Sequence, residues 1–314
     1  MSSGSGNGHG MLDVSVVVPV RNDRGGQLRD LLEALSRQSL GRDRFEIVIG
    51  DDGSDDGSLQ DVATDDGLVR VVSGPPRNSY AARNRAARAA RSTRALAFTD
   101  SDCLPDPGWL EAGLAALEQA DAAAGDIRFS VPEQQSVWTL IDVESTKDHE
   151  LQVGNANAET ANFFVRREVF DRLGGFDDSL PEHGDFDFAR RVVEGGGTLV
   201  YAPAARLVHP ARTNARTYLR MHWVMHRWYA ARETRAGRLP LGLTLRWWLP
   251  LVAHLKWRRD AGRPLRLDRP RLERQGFRPR LLDELKALPL LYVLLPYWGG
   301  AAQLRGYLDG RRLR

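Results

Sequence analysis

The chain of 314 residues suits one large α/β domain with an appendage, or two domains, and its 42% apolar and 27% charged content fits a globular protein. A single cysteine, Cys103, excludes any internal disulfide and points to a reducing compartment. The net charge of +3 conceals a split: residues 206–314 carry 24 Lys and Arg against 7 Asp and Glu, which leaves 20 against 34 elsewhere, so the second half is expected to meet an anionic partner, membrane surface or nucleic acid.

Residues 1–11 begin Gly-, Ser- and Asn-rich, carry no secretory signal, and are expected to form a disordered tail. Val14 to Val20 is a continuous β-branched run, the pattern of a parallel strand buried on both faces. A loop at Arg21-Asn22-Asp23 follows, then Leu28, Leu31, Leu32 and Leu35 at helical spacing. Phe45 to Gly50 is a second strand, ending in the acidic, glycine-rich stretch 51–57, with a helix expected to start near Ser58. Val69 to Ser73 is a third strand, and 79–91 an alanine-packed helix that carries Arg83 and Asn84. Ala95 to Phe98 is a short buried strand running into Asp100 and Asp102. This alternation of strands and helices calls for a parallel sheet covered on both faces.

Further on, Leu110 to Leu117 reads as a helix and Ala122 to Phe129 as a strand. Residues 130–160 are polar and show no clear period, with 154–157 expected as a flexible loop. Thr160 to Val165 is extended, and Arg167 to Leu173 is a short helix stopped by Gly174-Gly175. A helix through Phe186, Phe188, Ala189, Val192 and Val193 has Asp185 at its start, as an N-cap or as a functional carboxylate favoured by the positive helix end. Thr198 to Tyr201 is a strand, with a loop leading to Leu207-Val208-His209-Pro210.

Two acids one residue apart at the carboxyl end of a strand in an open α/β sheet project into the crevice where ligands bind. They repel unless a cation sits beside them. A hard divalent ion, which takes oxygen ligands and substrate phosphates, is the natural partner, so a metal-assisted site for a phosphate-bearing substrate is expected at Asp100 and Asp102.

Seven short motifs stand in one order: Val-Ser-Val-Val-Val-Pro-Val-Arg-Asn (14–22), Asp-Asp-Gly-Ser-Asp-Asp-Gly (51–57), Ala-Arg-Asn (82–84), Thr-Asp-Ser-Asp (99–102), Gly-Gly-Phe-Asp (174–177), Gly-Asp-Phe-Asp-Phe (184–188) and Leu-Val-His-Pro (207–210). Over residues 12–210 the chain resembles the family 2 glycosyltransferases, inverting enzymes of the GT-A type. The resemblance implies a GT-A-like nucleotide-binding α/β fold, a mostly parallel sheet flanked by helices, acting on a nucleoside-diphosphate sugar. It implies that Pro19, Arg21, Asn22, Asp52, Arg83 and Asp100 line the donor-nucleotide pocket. It further implies that Asp102 and His209 hold Mg²⁺ or Mn²⁺, and that Asp185 is the catalytic base. Two positions depart from the family pattern. Gly184 precedes Asp185 where the motif is usually Glu-Asp, so Glu182 or Asp187 could share the role, and Arg21 stands where an aromatic residue is frequent.

Residues 211–314 form a basic, aromatic, helical C-terminal extension. Tyr218, Met221, Met225, Trp228 and Tyr229 make a helical stripe, and Trp247, Trp248 and Trp257 lie within 245–257. Between Lys286 and Arg305 run 18 uncharged residues, broken by Pro289, Pro296, Gly299 and Gly300. Interfacial or re-entrant helices at an anionic membrane are expected there, or else helices capping the catalytic domain. The expected partners are a nucleoside-diphosphate sugar and a glycan or lipid-linked acceptor, at the cytoplasmic face of the membrane and without nucleic acid. The competing readings are a sugar-nucleotide pyrophosphorylase, for which 21–26 makes a poor phosphate loop, and a non-catalytic basic nucleic-acid- or membrane-binding protein.

Overall fold

The structure, a computed structural model, describes residues 12–23, 25–64, 67–130, 132–133, 135–180, 182–235, 237, 252, 255, 259 and 267–312. The expected tail at 1–11 and the tryptophans at 247, 248 and 257 lie outside the described residues. The chain divides into two units, Met1–Arg128 with Asp148–His209, and Phe129–Lys147 with Pro210–Arg314.

The first unit is built on strands β1 (Val14–Val20), β2 (Phe45–Asp51), β3 (Val69–Ser73), β4 (Ala95–Thr99), β5 (Leu104–Pro105), β6 (Ala122–Ser130), β7 (Asn162–Arg166) and β8 (Leu199–Pro210). They form one sheet in the order β3-β2-β1-β4-β7-β6-β8-β5. The half β3-β2-β1-β4 is parallel, as the alternation of strands and helices requires. Beyond β4 the pairing is antiparallel, β7 with β4 and β6, and β5 with β8. The sheet is therefore mixed. Helix α1 (Gln27–Ser36) buries Leu28, Leu31 and Leu35 in one core, and α2 (Ser79–Ala89) buries Tyr80, Ala86 and Ala87 in the other. The alanines of α2 let it lie close to β2: a Cβ on Gly50 would fall 2.3 Å from the carbonyl oxygen of Ala82. Helices α3 (Trp109–Leu117), α6 (Arg167–Arg172) and α7 (Gly184–Glu194) complete the layers, with α5 (His149–Val153) in the segment between β6 and β7.

A buried carboxylate ties the parallel half together. Glu46 accepts from Ser15 Oγ at 2.7 Å and from Arg70 Nη2 and Arg91 Nε at 2.8 Å each. Burial works against its charge, but these hydrogen bonds outweigh that and hold the carboxyl below the ordinary range.

Two local expectations differ from the fold. The stretch from Ser58 is a run of turns instead of a helix. Asp56 Oδ1 accepts from both the N–H (3.1 Å) and the hydroxyl (2.7 Å) of Ser58, a local bonding pattern that competes with helix, and only Leu59 and Val62 supply apolar anchors. Residues 202–210 continue β8 instead of forming a loop. The strand period shows in the burial of Ala205, Leu207 and His209, which Pro203 and the neighbouring alanines conceal in the sequence.

The second unit is helical around one core. It includes α4 (Val137–Ser145), α8 (Ala215–Arg235) and the helices Arg269–Arg274, Leu281–Pro289 and Leu295–Arg312, the last two joined by a π turn at Leu290–Leu294. Its core joins Phe129, Leu140, Ile141, Tyr218, Leu272, Phe277 and Leu291. The polar stretch 130–160 thus supplies a helix to this unit, and its buried Asp142 accepts from the N–H (2.8 Å) and Nη1 (2.9 Å) of Arg212. The Leu295–Arg312 helix meets α8 at close range: a Cβ on Gly306 would fall 1.8 Å from the carbonyl oxygen of Arg227. Among the described residues no helix is long and apolar enough to cross a membrane.

Candidate active site

The sheet presents the carboxyl ends of β1, β2 and β4 along one edge. In the register of β1 and β2, Pro19 lies opposite Gly50 and Val20 opposite Asp51. The N–H of Asp52 donates to the carbonyl of Val20 at 2.9 Å, which locks the two strand exits together. Asp52 is buried, and its Oδ1 accepts from the N–H of Arg77 at 2.8 Å. Asn22 sits at φ 57°, where a short polar side chain is tolerated. Its N–H donates to Ser54 Oγ and its Oδ1 accepts from the N–H of Asp55, both at 3.0 Å. The loops carrying Pro19, Arg21, Asn22 and Asp52 are therefore stitched into one edge, with the Arg21 side chain exposed.

The end of β4 delivers the paired acids. Asp100 is paired with the buried guanidinium of Arg83 on α2. A tight turn closes on the pair, with the N–H of Cys103 donating to the carbonyl of Asp100 at 3.2 Å. The pairing of Leu104 with Val208 then sets His209 beside Asp102, Nε2 to Oδ1 3.8 Å. One ligand atom each from Asp100, Asp102, Cys103 and His209 lie within 4.8 Å of one another. Two carboxylates and an imidazole make a donor set that accepts Mn²⁺ or Mg²⁺, while the thiol is a softer ligand than either prefers.

Asp185 is not an N-cap. The cap of α7 is His183, at φ 61°, and Asp185 lies inside the first turn. Its Oδ1 accepts from the hydroxyl of Tyr80 at 3.0 Å and from the N–H of Phe186 at 2.9 Å, and its Oδ2 from the N–H of Thr160 at 3.3 Å. Burial raises its pKa above the usual carboxylate value and Glu159 adds to the rise, against the pull of His183 and Arg83. Of the alternatives, Asp187 is engaged with Arg191 at 2.8 Å, and Glu182 is half-buried.

Two residues of the site escaped the sequence reading. Tyr80 lies one helical turn before Arg83, so their spacing on the alanine-rich helix was the signal that could have placed both on one face. Cys103 follows Asp102 directly, but an isolated buried cysteine reads as core.

The glycosyl transferase family 2 model matches residues 15–174, and that of glycosyl transferase family group 2 matches 96–298. The glycosyltransferase AglE of Haloferax volcanii is 30% identical over 207 residues, 63% of this chain and 67% of its own. The pre-mycofactocin glycosyltransferase of Mycobacterium tuberculosis is 30% identical over 221 residues, 66% of this chain but 44% of its own, so the chain spans less than half of that relative. Among solved structures, the mannosyltransferase PcManGT of Pyrobaculum calidifontis, in complex with GDP-Man and Mn²⁺, superposes with a TM-score of 0.60 at 19% identity, covering 96% of this chain and 87% of that one. GalNAc-T7 with UDP, GalNAc and Mn²⁺ gives a TM-score of 0.54 at 19% identity, over 71% and 51%. These structural likenesses establish the GT-A fold.

Proposed function

The chain belongs to glycosyl transferase family 2, and from that membership we propose that it moves a sugar from a nucleoside-diphosphate donor to an acceptor hydroxyl by direct displacement, with inversion at the anomeric carbon. The observation that carries this reading is the bridge made by one turn of α2: Arg83 pairs with Asp100 on the donor side, and Tyr80 bonds Asp185, the proposed base.

Pro19, Arg21, Asn22 and Asp52 would line the nucleotide, with Asp52 accepting from the base, while Arg83 and Asp100 set the ribose side. Asp102 and His209 would hold Mg²⁺ or Mn²⁺, which when bound offsets the negative charge that grows on the departing diphosphate. The mixed donor set at Asp102 and His209 supports that assignment, as do the Mn²⁺ complexes of the two structural neighbours. Asp185 would take the proton of the acceptor hydroxyl as it attacks. A pKa raised by burial and by Glu159 makes Asp185 a stronger base toward the acceptor proton than an ordinary carboxylate. Holding donor and acceptor on one rigid sheet edge supplies part of the remaining rate advantage.

The acceptor is proposed to be a lipid-linked or cell-envelope glycan met at the cytoplasmic face of the membrane. In the second unit Leu281, Leu285, Val293 and Tyr297, with Leu282, Leu294 and Trp298 beside them, form an exposed apolar ridge along the helical run 281–298. Arg278, Arg280 and Lys286 lie at its start, with Asp283 and Glu284 among them, and Arg305 lies beyond its end. An apolar ridge flanked by cations complements an anionic bilayer interface. The proposed activity is tested by incubating the protein with UDP-, dTDP- and GDP-sugars and following release of the nucleoside diphosphate. Release that requires Mn²⁺ or Mg²⁺ and is lost in Asp185→Asn supports the reading; release of pyrophosphate from a nucleoside triphosphate would replace it with the pyrophosphorylase.

A further inference from the structure

Of the two departures from the family pattern, the one beside the proposed base is Gly184 in place of the usual Glu. The surroundings of Gly184 account for it. A Cβ at this position would fall 2.9 Å from Cδ2 and Cε2 of Tyr80, closer than real Cβ atoms approach another heavy atom. Tyr80 has no room to yield. It is 5% exposed, its ring centroid lies 5.7 Å from that of Phe176, and the guanidinium of Arg83 sits over the ring at 5.6 Å. A tyrosine has two side-chain torsions, so a ring clamped on these sides fixes its hydroxyl. That hydroxyl points at Asp185 Oδ1, 3.0 Å away.

We propose that Tyr80 and Gly184 are a matched pair: Gly184 admits the ring, and Tyr80 is a positioning residue that aims the Asp185 carboxylate at the acceptor hydroxyl. This rests on the reading of Asp185 as the base. The charged groups that face Asp185 are Glu159, which repels its charge, and His183 and Arg83, which favour it. Burial and Glu159 both press the carboxyl toward its protonated form, and the donated hydroxyl of Tyr80 opposes them. Tyr80 stays a donor throughout, because burial and then the charge of Asp185 hold its own proton well beyond the ordinary tyrosine range. A glutamate at 184 would bring a Cβ into the ring and a further carboxylate next in sequence to a base that Glu159 already repels. Tyrosine at 80 and glycine at 184 are thus one solution and not two independent choices.

The test reads the base directly and needs no substrate. Protein labelled with ¹³C at the aspartate carboxyl is titrated by NMR, and the Asp185 signal is identified by its loss in Asp185→Asn. Tyr80→Phe keeps the ring and removes the hydroxyl. It is expected to move the Asp185 titration up by about one pH unit, tenfold in proton affinity, as for loss of a hydrogen bond to a charged group. The acid limb of the rate profile for nucleoside-diphosphate release should move with it, through kcat and not through KM for the donor. The pairing is tested by a double-mutant cycle on thermal stability. Gly184→Ala should lower Tm in the wild-type background and lose most of that effect beside Tyr80→Ala, where the ring is gone. An unmoved titration in Tyr80→Phe, or an equal Gly184→Ala penalty in both backgrounds, overturns the proposal. If Asp185→Asn abolishes transfer while Tyr80→Phe changes nothing, the base stands and this inference alone falls; if Asp185→Asn still transfers sugar, both fall.

Discussion

Replacing Arg83 by methionine separates two roles that the ion pair with Asp100 combines. Methionine retains an apolar stem under the Tyr80 ring and removes the charge. The Arg83 side chain is 5% exposed and that of Asp100 is 29% exposed. Breaking a fully buried pair costs about 3–5 kcal/mol, but water still reaches Asp100, so the cost is reduced to about 2 kcal/mol. For a chain of this size that lowers Tm by about 3 °C. The second consequence has the opposite sign. Without Arg83 the Asp100 carboxylate loses its guanidinium partner beside Asp102, and a divalent cation at the cluster relieves the repulsion between the two acids. Mn²⁺ should therefore stabilise Arg83→Met more than it stabilises the wild type. Each tenfold gain in Mn²⁺ affinity adds about 1.4 kcal/mol at saturating ion. Thermal denaturation of both proteins, with and without Mn²⁺, gives the four midpoints required. An equal or smaller Mn²⁺ shift in the variant would refute the idea that Arg83 and the cation compete for the same carboxylate.

Asp185→Asn should cut sugar transfer by about 10²–10⁴ while leaving stabilisation by Mn²⁺ and a nucleoside diphosphate unchanged, as measured by steady-state kinetics beside thermal shift. Glu46→Ala, which takes the carboxylate partner from Ser15, Arg70 and Arg91, should cost about 2 kcal/mol in urea denaturation at neutral pH, because water still reaches both guanidiniums. Because the Glu46 carboxyl is held below its ordinary value of 4.5, its contribution is complete above that pH and is lost as pH falls through the folded value, so the gap between wild type and variant should narrow on acidification. Sedimentation with phosphatidylglycerol vesicles should capture the protein, and phosphatidylcholine vesicles should not. Leu281→Glu with Leu285→Glu should abolish capture, whereas concentration-dependent dimerisation lost in the same variant would assign the ridge to a second copy instead.

The parallel half of the sheet was legible because each strand there is a dense apolar run followed by a punctuating loop. Val14 to Val20 and Phe45 to Gly50 have no competing reading. The antiparallel half was less so. β8 alternates buried and exposed residues, but Pro203 and small alanines blur the period, and its place between β6 and β5, a strand of two residues far away in sequence, is set by pairing that no local pattern encodes. Ser58 shows the converse, where capping chemistry was present but too few apolar side chains followed to hold a helix to the sheet. At the site, the single-letter order exposed Asp100, Asp102, Asp185 and His209 as candidates. It did not expose what surrounds them. That Asp185 meets Tyr80 across 105 positions, or that Gly184 yields space to the same ring, depends on the packing of α7 against α2, which no local pattern encodes.

The most direct test of the account is the binding of UDP, dTDP and GDP to the wild type and to Asp102→Ala by titration calorimetry, each with and without Mn²⁺. Binding of one diphosphate that requires Mn²⁺ and is lost in Asp102→Ala is the expected result, and it identifies the donor nucleotide. Metal-independent binding that survives Asp102→Ala would contradict the account, because it would remove the cation and its carboxylate from the donor site.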